Sequence, residues 1–225
     1  MEIPKTLEQL GSFINKNEQL MSLTGLGSSL FEGETFQVSA KEFISYAEAE
    51  LKEPSTIKSQ VNCITNLKRA LDCQVDTYLS VLGLRSYLKK KNIKVGRKLE
   101  LLNRMGFIRL GSLERLNSIR NRIEHHYDVP EKLDLELYFD LISSFVELLE
   151  VALFEPISGV FNIGDTGYDI SATYVREHKR CEFCFWQKGK LLPNELHFGI
   201  NDDFESFAEA YRLHRNLIRF SLAKC

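Results

Sequence analysis

The chain has little of several things, and each scarcity removes a class of protein. Cysteine is sparse: Cys63, Cys73, Cys181, Cys184 and Cys225 are the five in 225 residues. An odd, thinly scattered set does not make a disulfide framework, so reduced thiols are expected. No apolar run has the length that crosses a bilayer, and "LLEVALF" is interrupted by Glu150. The opening "MEIPKTLEQL" lacks the basic-then-apolar layout of a secretory signal. A cytoplasmic chain with no membrane partner is the expectation. Internal repeats and low-complexity segments are missing too. What is there is ordinary for a soluble globular protein, with 44% hydrophobic and 27% charged residues. That suits one main domain with a sizeable core and a smaller appendage.

An overall excess of charge is also missing, the formal net being −2. The near-balance hides an asymmetry. Between Arg85 and His125 twelve Lys/Arg residues stand against three acids. A basic block inside a mildly acidic protein is either a phosphate-facing surface or a solvated face balanced by the acidic helix that follows. Lys89, Lys90, Lys91, Lys94, Arg97 and Arg122 are its candidates for holding a nucleic-acid phosphate backbone.

Hydrophobic periodicity predicts a mainly α protein. Residues 6–22 have the makings of a short helix, and "LTGLGSSLFEGETF" reads as a Gly/Ser-rich loop. Ser39 with Glu42 three residues on forms a capping box, which predicts a helix over 40–51. Ile57, Val61, Ile64, Leu71, Val75, Leu79 and Leu82 recur at helical spacing, predicting a long helix over 56–82. "KKKNIKVG" reads as a basic linker and "RKLELLNRM" as a shorter helix. Ser112 caps a helix with Leu113, Leu116, Ile119 and Ile123 as its stripe. Pro130 breaks the chain, and a helix over 132–154, apolar nearly all round, is expected to be buried on most faces. Past Pro156 the texture changes. "GYDISATYVRE", "RCEFCFWQ" and "ELHFGI" read as strands, with "QKGKL" as a turn, and an amphipathic helix closes the chain. The expected fold is a helical bundle followed by a small α+β module of antiparallel strands plus a C-terminal helix. The expected divisions are an N-terminal helical extension over 1–55, the bundle over 56–155 and the module over 156–225.

The helix after Ser112 carries the densest polar cluster, "SIRNRIEHHYDVP". At 100° per residue, Asn121 and His125 share a face lying about 160° from the apolar stripe. They point away from the bundle core, toward solvent or a partner subunit. His126 lies at the stripe's edge. Histidine is the side chain whose unperturbed pKa suits acid–base work near neutrality. Guanidinium is a rigid, permanently charged fork that stabilises charge building on a phosphorane. Together they suit attack of an RNA 2′-hydroxyl on its own phosphate. That chemistry requires no metal or cofactor.

Arg120-Asn121-Arg122-Ile123-Glu124-His125 resembles the Arg-polar-x-x-x-His signature of the HEPN superfamily, and 56–154 resembles its helical unit. The resemblance implies a dimeric, metal-independent endoribonuclease in which Arg120 and His125 line a cleft at the dimer interface and Asn121 is the polar neighbour. It also implies a toxin or anti-phage defence effector, as in abortive infection, with RNA and a second copy as partners. Arg120, His125 and Tyr127 further resemble the Arg-x4-His-x-Tyr variant of HEPN toxins paired with a nucleotidyltransferase antitoxin. There Tyr127 would accept AMP and silence the toxin; the competing role for Tyr127 is packing near the stripe. An antitoxin or other defence-system protein is then a further partner. Some members of the superfamily have lost catalysis, so a non-catalytic nucleotide- or RNA-binding module, or a structural dimer, is the alternative.

The remaining signals are weaker. Cys181-x-x-Cys184 lacks the second pair that a closed zinc site needs, and positions three apart on a strand face opposite ways. Phe183, Phe185 and Trp186 are suited to stacking bases, but alternation places most of them in the core.

Overall fold

A computed structural model describes residues 2–27, 33, 36–52, 56–109, 111 and 132–223. The chain forms two compact units, one from Phe31 to Phe154 and the other joining Met1–Leu30 to Glu155–Cys225. Among the described residues there are seven α-helices and a six-stranded sheet whose pairings are all antiparallel. None of these helices is long and apolar enough to cross a membrane.

The regular structure described in the unit over 31–154 is all helical. Helices α2 (Ala40–Lys52), α3 (Ile57–Val81), α4 (Arg85–Lys90), α5 (Val95–Arg104) and α6 (Lys132–Ala152) follow in order. Local chemistry sets their ends. The Ser39 and Glu42 side chains exchange hydrogen bonds with each other's backbone N–H, at 2.8 and 3.2 Å, the reciprocal box read from sequence. Thr56 and Ser59 do the same for α3. The stops repeat one device three times. After α3, α4 and α5 the chain turns through a left-handed residue, Gly83 (φ 72°), Asn92 (φ 52°) and Gly106 (φ 83°). In each case the next amide bonds back across the last turn: Leu84 to Leu79, Ile93 to Leu88 and Phe107 to Leu102, at 2.8–2.9 Å. These are Schellman turns, and the two residues of each pair are apolar, as the motif favours. "KKKNIKVG", expected as a linker, is therefore the last turn of α4, an Asn-centred turn and the start of α5.

Helix α3 is the unit's spine, burying Ile64, Leu67, Leu71, Val75, Tyr78 and Leu79 against α2, α5 and α6. Tyr78 meets Phe107 edge-on with centroids 4.8 Å apart. The expectation that α6 is buried on most faces fails: Leu137 and Val151 are 60% and 67% exposed.

The other unit is built from both chain ends. Helix α1 (Leu7–Asn17) and a 3-10 turn (Glu18–Leu20) lead into β1 (Met21–Gly27). After the helical unit come β2 (Ser158–Ile163), β3 (Tyr168–Val175), β4 (Arg180–Gln187), β5 (Lys190–Leu191), β6 (Leu196–Gly199) and α7 (Phe204–Leu222). The sheet runs β1-β2-β3-β4-β5, with β6 also on β4. The strands expected from sequence are β3, β4 and β6. "QKGKL" holds a two-residue turn at Lys188 and Gly189, both at positive φ (49° and 74°), as a tight hairpin requires.

The tripartite division read from sequence differs from these units. The stretch 1–55 is not one extension: α1 and β1 belong with the C-terminal strands, and α2 with the helices. The start of the expected loop is strand β1, paired from Met21↔Ile163 to Gly27↔Ser158 with an irregularity at Thr24. A Gly- and Ser-rich segment becomes a strand here because its amides and carbonyls find their partners on β2.

One sheet face is packed and the other open. Phe161, Ile163, Ile170, Ala172, Tyr174, Cys181, Phe183 and Phe185 are buried, and α7 covers them with Phe207, Tyr211, Leu217 and Ile218. Burying each of the larger side chains is worth about 2–3 kcal/mol. The opposite face holds Asn162, Asp169, Ser171, Thr173, Glu182, Cys184 and Trp186, all half-buried. Two polar residues of α7 are deeply buried. Arg215, with 4% of its side chain exposed, forms a bidentate pair with Glu155 at 2.7 and 3.0 Å. His214 donates its Nε2 proton to the Ile157 carbonyl at 2.9 Å, and desolvation holds its pKa down to about 4, so it is neutral.

Candidate nucleic-acid interface

The basic block acquires a shape at the turn between α4 and α5. There the helical unit has a concavity of about 340 Å³ lined by Asp76, Leu79, Arg85, Leu88, Lys89, Asn92, Ile93, Lys94, Val95 and Lys98. Its apolar lining is Val95 together with Leu79, Leu88 and Ile93, which take part in the first two Schellman turns. Cations supply most of the rest. Arg85 and Lys89 are four apart along α4, and Lys94 and Lys98 are four apart at the start of α5, so each pair shares one helix face. The Asn92 turn brings the two pairs together around one space.

Among the described residues, four cations thus meet one carboxylate. Lys98 Nζ lies 2.5 Å from Asp76 Oδ1, and its side chain is only 16% exposed. The Arg85 guanidinium sits over the Phe36 ring, 5.2 Å from its centroid. Lys89 and Lys94 are exposed and have no ion-pair partner among the described residues. Lys94 is the N-cap of α5, which has no side-chain cap and no acid in its first turn. Cations at the positive end of a helix dipole are unfavourable for the helix itself, and they strengthen the positive potential there. This arrangement attracts phosphate.

Of the RNA-holding candidates, Lys89 and Lys94 line the concavity. Lys90 and Lys91 end α4, are exposed and lie outside the lining. Arg97 also lies outside it and pairs with Glu100, whose carboxyl that bond and Arg104 hold below its ordinary range. Arg85 and Lys98 complete the lining, although only their part in the overall charge excess stood out in the sequence. Their i,i+4 spacing from Lys89 and Lys94 was the signal that would have found them. Arg120, Asn121, Arg122, His125 and Tyr127 lie outside the described residues, as does His126.

Cys181 and Cys184 face opposite sides of β4, one buried and one half-buried, and burial pushes both thiols up. Among the described residues no group of His, Cys, Asp and Glu is arranged to hold a metal ion. Phe183 and Phe185 are core residues, while Trp186 is on the open face. No family model matches the chain, no curated protein matches its sequence and no solved structure matches its fold.

Proposed function

We propose that the chain binds RNA at the α4–α5 concavity and cleaves it as a HEPN-type, metal-independent endoribonuclease. The observation that carries the reading is the convergence of Arg85, Lys89, Lys94 and Lys98 on one concavity that holds, among the described residues, a single carboxylate. Lys89 and Lys94 have no ion-pair partner among the described residues, so they can bind phosphate without first giving one up. Phosphate contacts supply most of the affinity of such surfaces and little sequence selectivity.

The chemistry belongs to the motif that follows in the chain. His125 takes the proton of a ribose 2′-hydroxyl, and the freed oxygen attacks the adjacent phosphorus. Arg120 stabilises the phosphorane charge, and Asn121 positions the phosphate or the imidazole. The bond from phosphorus to the 5′-oxygen breaks, and that oxygen takes up a proton. The products are a 2′,3′-cyclic phosphate and a 5′-hydroxyl end. On this reading the chain acts in the cytoplasm as a homodimer, as a toxin or defence effector, and Tyr127 is where an AMP-transferring antitoxin would act.

Binding is tested by titrating labelled single-stranded RNA at several salt concentrations. Lys89→Ala/Lys94→Ala is expected to weaken binding about tenfold or more at low salt and to lower the salt slope by roughly 1.4, two contacts at about 0.7 each. Unchanged affinity and slope would remove the concavity from the account. The non-catalytic alternative draws on the same cations, and turnover separates the two.

A further inference from the structure

Helix α6 carries two apolar seams. Leu135, Tyr138, Ile142, Phe145, Leu149 and Ala152 are buried, in a helix that packs on α2 and α3. Leu137, Leu141, Ser144, Leu148 and Val151 form a second line, spaced alternately by four and three. Leu137 and Val151 are 60% and 67% exposed. Ser144 is exposed, and Leu141 and Leu148 are half-buried. At 100° per residue the five positions lie within about 80° of one another and run about 21 Å along the axis. That is the narrow heptad seam of a helix that packs against another helix. Scattered exposed leucines need no explanation, but a continuous line does.

The flanks of this seam say what fits it. One flank is the unit's own core, Tyr138, Phe145 and Ala152. The other carries Asp140 and Glu147. From Asp134 to Ala152 the helix has five acids and no cation. Glu150 pairs with Lys41 at 2.7 Å, and Asp134 and Glu136 also have partners. Asp140 and Glu147 have no ion-pair partner among the described residues. A second copy fits poorly. Antiparallel pairing about Ser144 would set Asp140 against Glu147 of the copy, like charges at the flank that normally selects partners.

We propose that the exposed seam of α6 docks an amphipathic helix of a partner protein, with apolar residues at three-four spacing and lysine or arginine along one edge. The apolar line would fill the seam, and the basic edge would neutralise Asp140 and Glu147. The proposal does not depend on RNA cleavage.

The probe is a helical peptide of about 21 residues, leucine at the a and d positions and lysine at the flanks, beside a twin with glutamate flanks. Each is titrated against the full chain by fluorescence anisotropy. The lysine peptide is expected to bind about tenfold or more tightly than its twin, with an affinity that falls as salt rises. Leu137→Gln/Val151→Gln should weaken it about tenfold with little change in melting temperature, because both side chains are more than half exposed. Asp140→Lys/Glu147→Lys should reverse the preference between peptides. Equal binding of the two peptides, binding of neither, or a preference that survives the charge reversal overturns the proposal. So does a wild-type dimer in sedimentation that Leu148→Glu dissociates, since a second copy would then occupy the seam.

Discussion

The two units meet the same demand over different distances. Every buried amide and carbonyl needs a partner. In the helical unit the partner is about four residues away, and the helix ends are closed by residues beside them: Ser39 with Glu42, Thr56 with Ser59, and the turns at Gly83, Asn92 and Gly106. In the sheet unit the partners of β1 are far off, on β2, although β3 and β4 pair across a short turn. Thr24 bonds the carbonyl of Val160, 136 positions on. A fold closed locally shows itself in local sequence, whereas a fold closed by its two ends does not. Function divides in the same way. The basic concavity is assembled from residues 76–98, where two short-range turns place four cations.

The sharpest way to break the comparison is at the buried ion pair of the sheet unit. Glu155→Ala removes the carboxylate that pairs with the buried Arg215 guanidinium, at an expected cost of about 3–5 kcal/mol. Trp186, the only tryptophan, lies on β4 and reports this unit. Urea unfolding followed by its fluorescence should shift strongly, while a transition specific to the helical unit should not.

A smaller effect comes from pH. His214 has a folded pKa of about 4 against an ordinary 6.5, so the unfolded chain takes up a proton first as pH falls. The stability this histidine contributes is present above pH 6.5, declines between 6.5 and 4, and changes little below that. The full span is on the order of 3 kcal/mol. Tyr211 and Arg215 neighbour it, so the wild-type profile includes other groups as well. The difference between wild type and His214→Gln isolates the histidine. A difference that does not change across that window would show that the ring already accepts a proton in the fold.

The smallest effect sharpens the helical side. Thr56→Ala removes half of the box that opens α3 and should cost about 1 kcal/mol. Circular dichroism at the helical minimum should register it, and Trp186 fluorescence should barely respond.

What was legible in the sequence follows the same divide. The start of α3 at Thr56, the box at Ser39 and the antiparallel pair β3–β4 all rest on short patterns. Strand β1 was not legible because Gly25 and Gly27 carry no strand signal and the pairing that defines them lies on β2. The open seam of α6 was hidden for another reason. Leucine at Leu137 and Leu148 has the same hydrophobicity whether it faces a core or a partner. At the candidate site the lysines were legible as charge. Their convergence was not, because it depends on Asn92 adopting a left-handed conformation that "KKKNIKVG" does not announce. Arg120, Asn121 and His125 rest on their motif alone.

The most direct test of RNA cleavage by Arg120 and His125 is incubation of the purified chain with RNA in EDTA, with the ends of the products identified. The account predicts cleavage that leaves 2′,3′-cyclic phosphates, reduced by roughly 100-fold or more in His125→Ala while RNA binding is retained. An intact RNA substrate with wild type, or equal cleavage by His125→Ala, would contradict it.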